Sequence, residues 1–539
     1  MSIKKYLPHI LLALLVFTVI VGNFCWLKST DLVLPFASAE TGLDFYIGAT
    51  EGVSNLFEGI SNITEKLAGC TYYPPLHFLL IMFYHLIFGP EKFVPMAVNA
   101  TCLIIALFSI YMLCKKISGP KSGLLAVFIT ITCPAIFIMA RTDLTEYVLF
   151  SLVALTLYLF IYTQNFYNRK YSVLLGVVLG LGMLIKWTYP VYISGAFFVF
   201  VILMFMKGLE KKQLKNLILS VSIAIIISAF WYLGRLDIKF FFSTISGEAS
   251  QISLSERIGY FANALKLYIS LPYTVVFVAV ILAFIINIKR DVSIFFVLIL
   301  VFIVPYGFFS SVPHVEYRYL LPVIPSISCL ASLGVSKILH NFVRIVLISV
   351  IASIGLFNLV FYFQKIPALS GFFQDIPLTK LQYESKMFDN IINVINGDSD
   401  GPEIFMAASP FNGPEDCYVS LSPMTYRLTL DHLKRRNQNI SIKGFALNDF
   451  MGFAYKLDYV DFLIVTRPAL EDDRRSNEMR ALIRESRNFK YIYGKELYMD
   501  DPSYRMLIED KFALLKEIPS RLDSNVLIYK NKKLISGKE

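Results

Sequence analysis

Charge is scarce in this sequence. Only 17% of its 539 residues are Asp, Glu, Lys or Arg, while 56% are apolar. Soluble chains run at about 45–50% apolar and about 25% charged, so the composition excludes a soluble globule. The seven cysteines include no C-x-x-C pair and have no His-rich neighbour, so neither a zinc site nor a disulfide framework is indicated. The phosphate-cradling loop G-x-x-x-x-G-K-[ST] is missing, which argues against a nucleotide-driven pump. Internal repeats and low-complexity tracts are missing too. The first apolar run, Leu7–Trp26, lacks a clean small-residue cleavage site and is too long for a signal-peptide core, so it reads as a retained anchor.

What the sequence has is apolar length and aromatic surplus, with 46 Phe and 31 Tyr. A bilayer takes roughly 20 apolar residues to span. Besides Leu7–Trp26, ten runs approach this: Phe93–Cys114, Gly123–Met139, Tyr147–Tyr162, Ser172–Trp187, Val191–Met206, Leu217–Leu233, Leu271–Ile288, Val292–Phe309, Leu320–Val335 and Val343–Phe363. A shorter run, Pro74–Phe88, opens with a proline pair suited to the first turn of a helix. If it spanned the membrane, Lys115, Lys116, Lys121, Arg169, Lys170 and the Lys207–Lys215 cluster would lie outside. If it lies in the interface, all of them fall inside with Lys4, Lys5, Lys289, Arg290, Lys337 and Arg344. The positive-inside rule favours the second arrangement. It predicts about eleven transmembrane helices, a cytoplasmic N terminus and an outward juxtamembrane helix at Pro74–Phe88. Residues 1–364 are thus a transmembrane module. From Lys365 onward apolar runs stop and charge becomes dense, which predicts a soluble extracytoplasmic α/β domain over 365–539. Strands are expected at Glu403–Ala407, Phe462–Val465 and Asn525–Tyr529, and a helix at Leu381–Ile395.

This topology sorts the ionisable residues onto one face. They are the acids of the long loop 28–92, the short turn Ala140–Glu146, Lys186 at a span end, the charges of 234–270, and His314, Glu316 and Arg318 before a late span. Ionisable groups near membrane depth usually face a cavity or each other. Carboxylates there can serve as bases or metal ligands, and cations can hold a phosphate. Plainer roles stand beside these. Arg141 and Asp143 suit capping of the following helix and local pairing, Lys186 suits snorkelling to headgroups, and the span-end tryptophans suit an interfacial belt.

Several segments carry a pattern. Asp44-Phe45-Tyr46 is followed by Tyr72-Tyr73-Pro74-Pro75-Leu76-His77, then Ala140-Arg141-Thr142-Asp143, then Gly180-Leu181-Gly182 leading to Lys186, and finally Tyr317-Arg318-Tyr319-Leu320-Leu321-Pro322. In order and sidedness these resemble the C-type membrane glycosyltransferases. The likeness is to the dolichyl-phosphate-mannose-protein mannosyltransferase superfamily, which includes bacterial aminoarabinose lipid A transferases. The resemblance implies a polytopic fold of that type and inverting transfer of a hexosyl or pentosyl group. The donor would be a polyprenyl-phosphate-linked sugar and the acceptor a lipid, glycan or protein, in a bacterial or archaeal plasma membrane. Membrane lipids are the surroundings, and no nucleic acid is involved. It puts Asp44 at the base, Asp143 at a second catalytic acid, and Lys186, Arg318 and Arg141 at the donor phosphate. Tyr46, His77, Glu316 and Tyr319 become substrate contacts, and a divalent metal is left open. Where the family carries Glu-Lys before the prolines, this chain has Tyr72-Tyr73. A secondary transporter or lipid flippase would need midplane charges and paired broken helices, whereas these spans are nearly charge-free in their middles. A non-catalytic scaffold would have no need of Asp44.

Overall fold

The computed structural model describes residues 3–30, 37–50, 53–69, 73–206, 208–233, 253–286, 292–312, 316–367, 373–374, 390–391, 393–395, 403–408, 441–446, 462–468, 511–519 and 524–532. The chain forms two compact units. One comprises Met1–Cys25, Ser61–Tyr84 and Pro95–Asp375; the other comprises Trp26–Ile60, His85–Val94 and Ile376–Glu539. The expected soluble domain from Lys365 is thus grouped, from Ile376, with two segments of the first loop region.

Helices occupy all eleven apolar runs. The elements are α1 Ile3–Thr30, α2 Ala37–Thr50, α3 Leu56–Gly69, α4 Leu76–Phe88, α5 Val94–Ser118, α6 Pro120–Ile131, α7 Pro134–Met139, α8 Thr145–Tyr162, α9 Arg169–Ile185, α10 Tyr189–Met206 and α11 Lys211–Tyr232. There follow α12 Leu254–Ile269, α13 Leu271–Ile286, α14 Val292–Ser311, a 3₁₀ helix Tyr317–Val323, α15 Ile324–Ser336 and α16 Asn341–Tyr362. Among the described residues, eight helical segments are long and apolar enough to cross a membrane alone. A ninth is gained if Leu254–Ile269 and Leu271–Leu282, bent by 102°, cross as one.

The difference from eleven has local causes. The run Gly123–Met139 breaks at Thr132-Cys133, because Pro134 opens a new helix and the Thr132 hydroxyl donates back to Phe128 O at 2.8 Å. Helix α13, Leu271–Ile286, has 16 residues. Helix α9 has 17 residues. Helix α4, with 13 residues, reaches only about 20 Å at 1.5 Å per residue, too short to span. The first loop region also holds α2 and α3, helices that the composition did not reveal.

Close packing of α8, α9 and α11 fixes the membrane unit around its charges. Gly176 and Gly180 of α9 face α11, where an added Cβ would meet Ser220 O at 2.5 Å and the Ile227 Cβ at 2.7 Å. This is the small-residue spacing that lets membrane helices approach closely. The α8–α9 connection carries three consecutive left-handed residues, Gln164, Asn165 and Phe166. Gln213 donates to Asn165 O at 3.0 Å and Asn216 to Phe166 O at 2.7 Å, pinning that turn from α11. Gly180→Val is therefore expected to destabilise the protein by about 1–3 kcal/mol, the usual cost of overpacking. A lowered thermal unfolding midpoint in detergent would register it; an unchanged midpoint would mean that α11 yields freely.

In the second unit a five-stranded sheet has the order β4-β3-β5-β7-β6, built from β3 Glu403–Ala408, β4 Ser441–Ala446, β5 Phe462–Pro468, β6 Phe512–Pro519 and β7 Ser524–Asn531. Strand β3 is parallel to β4 and β5, while β7 is antiparallel to β5 and β6. The three expected strands are β3, β5 and β7. Most of the expected helix Leu381–Ile395 lies outside the described residues. The first unit adds a small antiparallel pair, β1 Ile366–Pro367 with β2 Phe373–Gln374.

Candidate active site

The membrane unit gathers three charges that the sequence holds far apart. Lys186 Nζ donates to Glu146 Oε1 at 2.6 Å, and Arg318 Nε lies 3.4 Å from the same oxygen. Arg318 Nη2 also reaches Glu316 Oε1 at 3.4 Å. Side-chain exposure falls inward, from 31% at Glu316 and 24% at Arg318 to 4% at Lys186 and 1% at Glu146. Lys186 is thus enclosed rather than snorkelling outward. Its ammonium lies 5.0 Å from the Tyr319 ring centroid and 5.5 Å from that of Tyr73, within cation–π range. Two cations share one fully buried carboxylate, and only Arg318 has an open side.

Each member is positioned by local structure. Glu146 lies in the first turn of α8, where Thr145 Oγ1 donates to its other oxygen at 3.2 Å. Lys186 ends α9 in extended conformation, its N–H donating to Gly182 O. Gly182 is needed there because a Cβ would strike the Tyr189 ring, whose hydroxyl is 2.6 Å from that of Thr156. Arg318 rides on the 3₁₀ turn, held where Tyr192 Oη donates to Tyr319 O at 2.7 Å and Tyr260 stacks on Tyr317 at 4.0 Å.

A second buried pair comes from the same two segments, His77 four residues after Tyr73 and Asp143 three residues before Glu146. His77 Nε2 is 2.7 Å from Asp143 Oδ1, each side chain about 1% exposed. His77 is placed by the start of α4, where Pro74 and Pro75 need no N–H partner and Leu79 N–H closes the first turn on Pro75 O at 3.0 Å. Asp143 is placed by Asn99, whose Nδ2 donates to Ala140 O at 3.1 Å and Thr142 O at 2.6 Å.

Arg141 is used otherwise than the resemblance implies. Its Nε donates to Asn23 Oδ1 at 2.9 Å, Nη1 to Lys365 O at 3.0 Å and Nη2 to Phe363 O at 2.7 Å. These carbonyls follow α16, so the guanidinium caps that helix end, and not the following helix α8. Burial lowers its pKa to about 9, leaving it charged at neutral pH. Only 3% of the residue is exposed, and two of its nitrogens are engaged by backbone carbonyls and one by the Asn23 side chain.

Asp44 and Tyr46 belong to the second unit, on α2. Asp44 is exposed between buried Leu43 and Phe45, and the Tyr46 ring lies 5.6 Å from that of His85. His314 lies outside the described residues. Among the described residues no three His, Cys, Asp or Glu side chains converge as a metal-binding set. Glu146, the hub of the cluster, was passed over in the sequence. Its signal was an acid in the first turn of an otherwise apolar span, a charge that must find a cation.

The helical scaffold and this site define an integral membrane protein with the C-type glycosyltransferase fold. A family model described as dolichyl-phosphate-mannose-protein mannosyltransferase matches residues 73–232, the stretch that carries His77, Asp143, Glu146 and Lys186. Among solved structures, ArnT from Cupriavidus metallidurans bound to undecaprenyl phosphate is similar with a TM-score of 0.60 at 12% identity, covering 99% of both chains. Its apo form gives a TM-score of 0.58 at 13% identity, covering 97% of this chain and 98% of that one. The archaeal oligosaccharyltransferase AglB from Archaeoglobus fulgidus, in complex with an inhibitory peptide and a dolichol-phosphate, gives 0.51 at 12% identity, covering 98% of this chain and 75% of that one. No curated protein matches the sequence significantly.

Proposed function

We propose that this protein transfers a sugar from a polyprenyl-phosphate-linked donor to an acceptor at the outer face of the membrane, with inversion at the anomeric carbon. The observation that carries this reading is the graded cluster in which Lys186 and Arg318 meet on one buried carboxylate, with Arg318 turned partly outward. A leaving lipid phosphate needs such positive charge, held in place before the reaction. Similarity to folds bound to undecaprenyl phosphate and dolichol-phosphate supports the donor class. In the reaction an acceptor oxygen bonds to the anomeric carbon as the bond to the phosphate oxygen breaks. Asp44 takes the hydroxyl proton and the departing phosphate keeps the electron pair beside Arg318. The distribution of lysine and arginine supports a cytoplasmic N terminus and an extracytoplasmic domain after Phe363.

Binding of undecaprenyl phosphate to the purified full-length protein tests the site. Charge-assisted hydrogen bonds contribute about 1.5–3 kcal/mol, so Arg318→Ala is expected to weaken binding roughly 10- to 100-fold. Arg318→Lys is expected to recover only part, since the planar fork is lost. Undiminished affinity in both Arg318→Ala and Lys186→Ala would remove the pair from the phosphate site.

A further inference from the structure

The His77–Asp143 pair has one polar atom left over. A carboxylate only accepts, so Nε2 carries the hydrogen of the 2.7 Å contact. The other ring nitrogen, Nδ1, is buried and has no hydrogen-bond partner among the described residues. Buried polar atoms are nearly always paired, and leaving one unpaired costs about 1–3 kcal/mol. A hydroxyl suits this position in either state of the ring, donating to Nδ1 of the neutral imidazole or accepting from the imidazolium.

The location says which hydroxyl. His77 lies four residues after Tyr73, and Asp143 three residues before Glu146, while Tyr73 and Glu146 both touch Lys186. The orphan nitrogen therefore belongs to the same two chain segments that bring Tyr73 and Glu146 to the cations assigned to the donor phosphate. The group covalently attached to that phosphate is the sugar. We propose that His77 Nδ1 binds a hydroxyl of the donor's sugar, with Asp143 fixing the ring through Nε2, so that His77 helps set which sugar is accepted. This rests on the phosphate assignment above.

Two amide substitutions separate this from a purely structural role. In His77→Asn the amide can place an oxygen near Nδ1 but cannot reach Asp143. In His77→Gln it can reach Asp143 but leaves Nδ1 empty. The probes are undecaprenyl phosphate alone and a set of undecaprenyl-phosphate-linked hexoses and pentoses, without acceptor, on the full-length protein. The tightest-binding sugar lipid in the wild type serves as the reference. His77→Gln is expected to bind undecaprenyl phosphate within about twofold of wild type but to lose roughly tenfold toward the reference sugar lipid. His77→Asn is expected to keep most of that preference. If His77→Gln retains the sugar preference while His77→Asn loses it, or if both retain it, the hydroxyl contact is overturned and the pair only holds the turn. Should His77→Asn fail to fold, the His77→Gln result alone decides. If the wild type binds no undecaprenyl phosphate, the phosphate assignment itself fails; if it binds the lipid but prefers no sugar, only the present inference does.

Discussion

Glu146→Ala is expected to give a protein that inserts poorly and neither binds undecaprenyl phosphate tightly nor turns over donor. The carboxylate is the shared partner of Lys186 and Arg318 and is 1% exposed. Removing one member of a buried ion pair leaves the other charge uncompensated, a cost of about 3–5 kcal/mol. That is a large share of the usual 5–15 kcal/mol net stability of a folded protein. The double variant Glu146→Ala/Lys186→Met removes both charges of the inner pair, so stability is expected to return while activity does not. Thermal unfolding in detergent, with donor turnover on the same samples, separates the two effects. A stable and active Glu146→Ala protein would show that the cluster organises nothing.

Asp44→Asn is expected to lower turnover by about 10²–10⁴-fold, the usual worth of general-base catalysis, with undecaprenyl phosphate binding unchanged. The substitution keeps size and much of the hydrogen bonding, and Asp44 is exposed on α2. Near wild-type turnover in Asp44→Asn, with loss in Asp143→Asn, would move the base to Asp143. Activity in both would overturn the proposed chemistry.

Much of the fold was legible because long apolar runs leave few alternatives in a bilayer, where every backbone polar group needs an internal partner. All eleven runs contain helix. Length alone could not reveal the break before Pro134, because a proline at a first helical turn and one inside a helix look alike until the chain is folded. Helices α2 and α3 were hidden by mixed composition, and β4 by Lys443 and Gly444 inside a six-residue strand. At the site, Lys186, Arg318, Glu316 and Tyr319 were each visible as a polar residue at a span end. The convergence of Lys186 and Arg318 on Glu146, 40 residues from Lys186 in sequence, follows from helix packing, and so does the pairing of His77 with Asp143 across 66 residues. The partners of Arg141 were not legible either, since two of its nitrogens donate to carbonyls more than 220 residues away.

That last arrangement bears on biogenesis. Helix α16 is the last long apolar helix among the described residues, and Arg141 gains two of its partners once Phe363 and Lys365 have arrived beside it. During synthesis Arg141 is therefore made early and meets these carbonyls late. A nascent chain halted before α16 emerges would hold most of the candidate site's residues yet lack the carbonyls that Arg141 meets.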